Sequence, residues 1–234
     1  MRINKFLSEA GITSRRGADK WIEAGRVKIN GQFAEIGSKV TDEDVVTVDN
    51  KVITLDKGYV YIKLNKPRGI TSTTERHIKG NIVDFVGHKE RIFHIGRLDK
   101  DSEGLILLTN DGDIVNEILR KEGKHEKEYV VTVDKPITDD FVKQMSEGVA
   151  ILDTVTLPAK VKKLNNKTFN IILTQGLNRQ IRRMTEALGY EVKQLRRIRV
   201  MNILVDDLKL GEWKYLTEDE LTTLFEMLDY TPKR

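Results

Sequence analysis

The stretch GRLDKDSEGLILLTNDG, residues 96–112, reads as a polar loop, a buried apolar run at 105–108 and an Asn110-Asp111-Gly112 turn. A rigid strand directly after a charged loop is a good mount for a reacting side chain. Working outward, strand patterns fall at 59–65, 105–109, 129–133, 168–174 and 192–200. Helical patterns fall at 114–120, 139–147, 179–188 and 218–228. The strands come in groups and do not alternate strictly with helices. That order predicts an α+β fold with a mixed, mostly antiparallel sheet and flanking helices, not a doubly wound one.

The first 58 residues read as a separate small α/β unit. Ile3, Phe6, Leu7 and Ala10 share helical spacing, and Gly11 ends that helix. Ser14 is the expected N-cap of a second helix that buries Ala18, Trp21 and Ile22 and stops at Gly25. Residues 27–33 alternate around Asn30-Gly31, the signature of a hairpin, and 45–48 adds another strand. The polar segment 49–58 reads as a linker, giving two expected domains, 1–58 and 59–234.

The chain has 234 residues, 39% hydrophobic and 32% charged, and a net charge of +4. Its lack of cysteine excludes a disulfide-stapled scaffold, a thiol enzyme, a Cys-ligated zinc module and an iron–sulfur protein. No run approaches the roughly 18 apolar residues of a membrane span, and the first residues lack a signal-peptide apolar region. We expect a cytoplasmic monomer with no membrane partner. The charge is unevenly spread. Residues 2–31 hold seven basic and three acidic residues, and 176–200 seven basic and two acidic, so the remainder is net negative. Each basic concentration is either a solvated helix face or a footprint for RNA.

Two segments can carry chemistry. Asp99, Asp101 and Glu103 recur every second residue, which in an extended chain makes a three-carboxylate metal face; a solvated acidic loop is the other reading. QGLNRQIRRMTEALGY, 175–190, is a helix bracketed by Asn178 as N-cap and Gly189, with Ile181, Met184 and Leu188 buried. Arg179, Arg182, Arg183 and Glu186 then share another face, and Arg196, Arg197 and Arg199 follow. Arginine suits bidentate phosphate contact. The histidines lack metal-ligand spacing, no phosphate-cradling glycine motif occurs, and Ser72–Glu75 fits a capping box that caps a helix or turn and is not a nucleophile.

With KLNKPRGITSTT at 63–74, GRLDKDSEGL from 96, HEKEYVVTVDKP from 125, QGLNRQIRRM from 175, Met201-Asn202 and 210–213, the chain resembles a known family. It is similar to the ribosomal pseudouridine synthases of type A (small subunit) and types B, E and F (large subunit), and is nearest type F. Residues 2–48 resemble the S4 RNA-binding module. The resemblance implies isomerisation of a uridine in 23S ribosomal RNA to pseudouridine without cofactor or metal. A tRNA anticodon loop is a further candidate target.

By the same resemblance Asp99 is the catalytic aspartate, attacking the ribose or the base or stabilising an eliminated glycal, and Arg182 is its cationic partner. Such a pair at about 4 Å and an effective dielectric near 20 is worth about 4 kcal/mol before desolvation. Tyr129 is the active-site tyrosine, offering a ring to stack on uracil and a hydroxyl. Arg97 is the residue that fills the stack left by the flipped base. Arg179 and Arg183, with Arg15, Arg16 and Lys20 of the S4-like part, are expected on RNA phosphates. A catalytically silent RNA-binding or ribosome-assembly factor and a metal-dependent nuclease are the competing readings.

Overall fold

Leu105 and Leu107 enter one hydrophobic core while Ile106 and Leu108 enter another, so the apolar run lies in a strand covered on both faces. The structure, a computed structural model describing residues 1–55 and 58–232, builds the rest around that strand.

The N-terminal part is α1 (Ile3–Glu9), α2 (Arg15–Glu23), β1 (Val27–Ile29), β2 (Gln32–Phe33), β3 (Val46–Val48) and β4 (Lys51–Ile53). The Ser14 side chain accepts from the Gly17 N–H and caps α2 as expected. Asn30 (φ 50°) and Gly31 (φ 82°) both take positive φ, the geometry of a tight hairpin turn whose twist matches its strands. The four strands form an antiparallel sheet in the order β2-β1-β3-β4. Ile3, Leu7, Ala18, Ile22, Val27 and Val46 fill its core. Trp21, expected inside, is only half-buried, its ring 4.6 Å beneath the Arg26 guanidinium. The segment read as a linker is partly structured: Asp49 and Asn50 turn with positive φ, and β4 pairs with β3. Residues 56 and 57 of that segment lie outside the described residues.

Beyond it come β5 (Tyr61–Lys66), α3 (Ile82–Val86), β6 (Phe93–Ile95), β7 (Glu103–Thr109) and α4 (Gly112–Leu119). Then follow β8 (Lys127–Val133), α5 (Asp139–Glu147), β9 (Ala150–Ile151), β10 (Thr154–Val155), β11 (Lys160–Lys163) and β12 (Thr168–Leu173). The chain continues through α6 (Gln180–Ala187), β13 (Val192–Val200), β14 (Ile203–Leu204), β15 (Trp213–Tyr215) and α7 (Glu218–Leu228). One sheet runs β11-β12-β8-β13-β7-β5-β15, with β6 on β7 and β14 on β13. Its pairs are antiparallel except β7 with β13, so the sheet is mixed and mostly antiparallel, as expected. The short strands β6, β11, β14 and β15 carry too few residues for alternation to announce them.

Helices α5 and α6 cover the β8–β12–β13 half through Phe141, Met145, Ile181 and Met184. Helices α4 and α7 cover one face of the other half, and α3 the opposite face. Buried Asp111 ties α4 to α7. It caps α4 by accepting from the Asp113 N–H at 3.1 Å, and accepts the hydroxyls of Tyr61 (2.7 Å) and Tyr230 (2.6 Å). Next to it Lys5 of α1 pairs with Asp113 at 2.7 Å, joining the N-terminal unit to the first turn of α4.

The halves meet at Gly104, whose φ is +108° and whose added Cβ would lie 2.1 Å from the Arg197 carbonyl oxygen. That obstacle is backbone and cannot step aside. We predict that Gly104→Ala destabilises the protein by about 3 kcal/mol or more, combining left-handed strain with a backbone clash. Thermal unfolding should show a midpoint lowered by more than about 6 °C.

Candidate active site

Asp99 sits in the loop between β6 and β7, and its backbone is pinned from both sides. The Ser72 hydroxyl donates to the Leu98 carbonyl (2.8 Å) and accepts from the Leu98 N–H (3.2 Å). The Gly69 N–H reaches the Lys100 carbonyl at 2.8 Å, and the Ser102 N–H closes back on the Asp99 carbonyl at 3.0 Å. Leu98 itself is buried beside Ile62, Ile106 and Leu108. The capping-box reading of Ser72–Glu75 is therefore corrected. No helix starts there; a turn follows, but Thr73 and not Ser72 accepts the Glu75 N–H (3.2 Å), α3 is capped by Asn81, and the buried Ser72 hydroxyl serves the neighbouring loop.

Lys66, fully buried at the end of β5, donates to the carbonyls of Pro67 and Ile70, both at 2.9 Å. It thereby folds the Lys66–Pro67–Arg68–Gly69 turn beneath that loop. Burial pushes its ammonium down to about 8, against the opposing pull of Asp101, Asp99 and Glu103.

Across from the loop stands the start of α6. Arg179 grips Asp101 with both terminal nitrogens (3.2 and 3.0 Å) and comes within 3.4 Å of Asp99 Oδ2. Its hydrogen bond holds the Asp101 carboxyl below the usual carboxylate range. Arg182 donates to the Asp101 carbonyl (3.1 Å) and the Ser102 hydroxyl (3.0 Å). Its Nε is buried without a hydrogen-bond partner, 4.0 Å from Asp99 Oδ2. Burial lowers the Arg182 pKa, but a guanidinium keeps its proton. The expected Asp99–Arg182 pair is present as an ion contact at 4.0 Å without a hydrogen bond, and Arg179 is the nearer cation at 3.4 Å. Asp99 is also 36% exposed, so solvent discounts the buried-pair energy.

Asn178 is not the cap of α6, contrary to its sequence reading. The helix begins at Gln180, and Arg179 in the left-handed region (φ 48°) precedes it with no side-chain cap. Arg183 turns back to the Asn178 carbonyl and side chain (3.0 and 2.9 Å), away from Asp99. Buried Gln180 accepts from the Leu177 N–H (3.0 Å) and donates to Gln175 (3.2 Å), stiffening this turn. A non-glycine residue held at positive φ is strain that tertiary contacts must offset.

The two sides enclose a cavity of about 420 Å³ lined by Asp99, Tyr129, Arg179, Arg182, Lys127 and Arg197. Tyr129 faces Arg197 across the β8–β13 pair. A bulge between Arg197 and Arg199 then keeps Val200 on the cavity side while Arg199 turns to Glu126 and Glu128. Exposed Arg97 borders this cavity and a second cleft formed with Arg68, Gly69, Ser72 and Lys100. Arg15, Arg16 and Lys20 stand exposed on α2. The three-carboxylate metal face does not form: Asp101 is held by Arg179, and Glu103 lies in β7 bonded to Gln194. Among the described residues no group of three or more His, Asp or Glu side chains could hold a metal ion. Ser72, Lys66 and Lys127 are the contributors that sequence reading missed. Only their place in the motifs around 63–74 and 125–136 hinted at them.

A carboxylate, two guanidinium groups and a tyrosine around a cavity of about 420 Å³ combine a nucleophile or base with cationic groups that suit a polyanionic ligand. Residues 60–187 match the RNA pseudouridylate synthase family, and residues 1–46 match the S4 domain. The chain is 57% identical over 231 residues to the dual-specificity RNA pseudouridine synthase RluF of Escherichia coli K12, spanning 98% of this chain and 80% of that one. It is 36% identical to ribosomal large subunit pseudouridine synthase B of Bacillus subtilis, over 98% and 97% of the two chains. A crystal structure described as a pseudouridylate synthase superposes with a TM-score of 0.70 at 30% identity, covering 96% of this chain and 99% of the other. The residues that form the cavity fall within or just beyond the matched segment, and the chain belongs to the RNA pseudouridine synthase family, an isomerase carrying an S4 domain at its N-terminal end.

Proposed function

We propose that this protein isomerises a uridine in a stem-loop of 23S ribosomal RNA to pseudouridine, with Asp99 as nucleophile. The observation that carries this reading is the Asp99 carboxylate, held by its pinned backbone at the edge of a half-open cavity and faced by Arg179 and Arg182. The uridine leaves its stack at a cost of a few kcal/mol. Arg97 fills the vacancy, and the uracil ring rests on Tyr129. A carboxylate oxygen of Asp99 bonds C1′ as the N1–C1′ bond breaks and uracil leaves with the pair. That oxygen–C1′ bond breaks when C5 of the turned base bonds C1′, after which C5 loses its proton near the Tyr129 hydroxyl and N1 gains one. Closure on the base brings the unpaired Arg182 Nε onto Asp99 and keeps that carboxylate ionised.

A tRNA anticodon loop of similar sequence is a second target. The dual specificity in the name of the 57% identical relative supports it. The chain divides near residue 58 into an S4 RNA-binding domain and a catalytic domain. The separate N-terminal core and sheet support that division. Arg15, Arg16 and Lys20 dock on helical RNA through phosphates, and Arg179 and Arg183 steer the backbone at the cavity. The protein works as a monomer.

Mapping pseudouridines in RNA from cells with and without the protein identifies the target uridine. On that RNA labelled with tritium at C5, Asp99→Asn should lower tritium release by a factor of about 1000 or more while leaving RNA affinity within about threefold. Loss of folding and affinity together would make Asp99 a structural residue instead. Replacing Arg15, Arg16 and Lys20 together with alanine should flatten the log–log salt dependence of binding by roughly two to three, leaving turnover at saturating RNA unchanged. An unchanged slope removes the S4 helix from the interface.

A further inference from the structure

Lys127 stands two residues before Tyr129 on β8, so both side chains leave the same face of the sheet and line the cavity. The flanking glutamates leave the other face. Glu126 pairs with Arg199 (3.0 Å) and Lys160 (3.1 Å), and Glu128 with Arg199 (2.6 Å) and Asn170 (2.8 Å). The Lys127 ammonium instead runs toward Gly176, where an added Cβ would lie 4.0 Å from Nζ. Among the described residues it meets no hydrogen-bond acceptor and no carboxylate, and Arg197 is the charged group that acts on it. Burial, then Arg197, lowers its proton affinity. Buried Leu173, Leu195 and Val200 line the same cavity.

A half-buried ammonium that faces the cavity without a protein acceptor is available to one that a ligand brings. RNA offers phosphate oxygens and base carbonyls. The exposed cations Arg97, Lys100 and Arg68 border the outer cleft, where a backbone would run. Lys127 lines the inner cavity alone, whereas Asp99 borders both the cavity and that outer cleft, so the ammonium belongs to the inner part of the cavity. The group of a flipped uracil farthest from its glycosidic bond is the C4 carbonyl. We propose that Lys127 is a specificity-determining residue whose ammonium donates to that carbonyl and rejects cytosine, which carries an amino group there. This rests on the reading that Asp99 opens the glycosidic bond in this cavity.

The symmetry of uracil extends the argument. When N1 leaves C1′ with the bonding pair, the negative charge spreads over N1, O2 and O4, and the ammonium retains the detached base. Half a turn about the C6–N3 axis puts C5 where N1 was and O2 where O4 was. The same donor therefore meets a carbonyl before and after rotation. The C5–C1′ bond then forms, C5 gives up its proton, and N1 takes one. Cytosine satisfies the ammonium in only one of the two orientations.

The test compares stem-loops with uridine or cytidine at the mapped position, bound to full-length protein carrying Asp99→Asn so that no turnover intervenes. We expect uridine to be preferred by about 10-fold or more, the worth of one charged hydrogen bond. Adding Lys127→Met should reduce the preference to within about twofold, and Lys127→Arg should retain it. An undiminished preference with Lys127→Met overturns the proposal. Should that variant fail to fold, Lys127→Gln replaces it. A glutamine amide can turn to donate or accept, so its preference should also collapse, and persistence at the Lys127 level overturns the proposal equally. The two claims fail separately, since tritium release surviving in Asp99→Asn counts against the nucleophile, not against Lys127.

Discussion

The site depends on the close backbone approach of Gly104 to Arg197. Among the described residues it is the one place where the halves of the large sheet join in parallel. β7 carries the Asp99 loop at its start, and β13 carries Arg197 opposite Tyr129 of β8. Without the approach, the carboxylate loop and the tyrosine would belong to two separate antiparallel sheets. A side chain at position 104 would hold the strands apart, so the absence of a Cβ there sets the width of the cavity. The apolar run after Gly104 then buries both of its faces, which anchors the junction in two cores at once.

Around that frame the polar groups restrain the loop more than they pair with Asp99. Ser72, Gly69 and Lys66 hold backbone, and Arg179 spends its fork on Asp101. Asp99 is left with two cations at 3.4 and 4.0 Å and no short bond. A carboxylate locked in a tight bidentate pair would have to break it before any reaction; one held by its backbone in a cationic field stays available, as the proposed role of Asp99 requires. The positive-φ Arg179 stores strain where it is useful, because the same turn brings Arg182 toward Asp99.

Elements dictated by local chemistry were legible in the sequence. The Ser14 cap, the Asn30-Gly31 hairpin, the helix at 139–147 and the strand at 192–200 all appear where spacing and turn residues predict them. The three residues Asp99, Tyr129 and Arg182 do line one cavity. What was not legible depends on distant partners. Asn178 has good capping chemistry, yet Arg183 claims its side chain and α6 starts two residues later. Ser72 looks like a cap and serves a loop 26 residues away. The period-two spacing of Asp99, Asp101 and Glu103 fails because only Glu103 is in a strand. The bulge in β13 and the unpaired Lys127 arise from register and burial, which no local pattern encodes.

The central claim is that a target uridine reaches Asp99 by leaving its helix and lying on Tyr129. A crystal structure of the Asp99→Asn protein bound to its mapped stem-loop tests this most directly. The account predicts an extruded uridine with C1′ within about 3.5 Å of the residue 99 side chain and its ring against Tyr129. A uridine still stacked in the RNA, or one bound with residue 99 remote from its glycosidic bond, would contradict it.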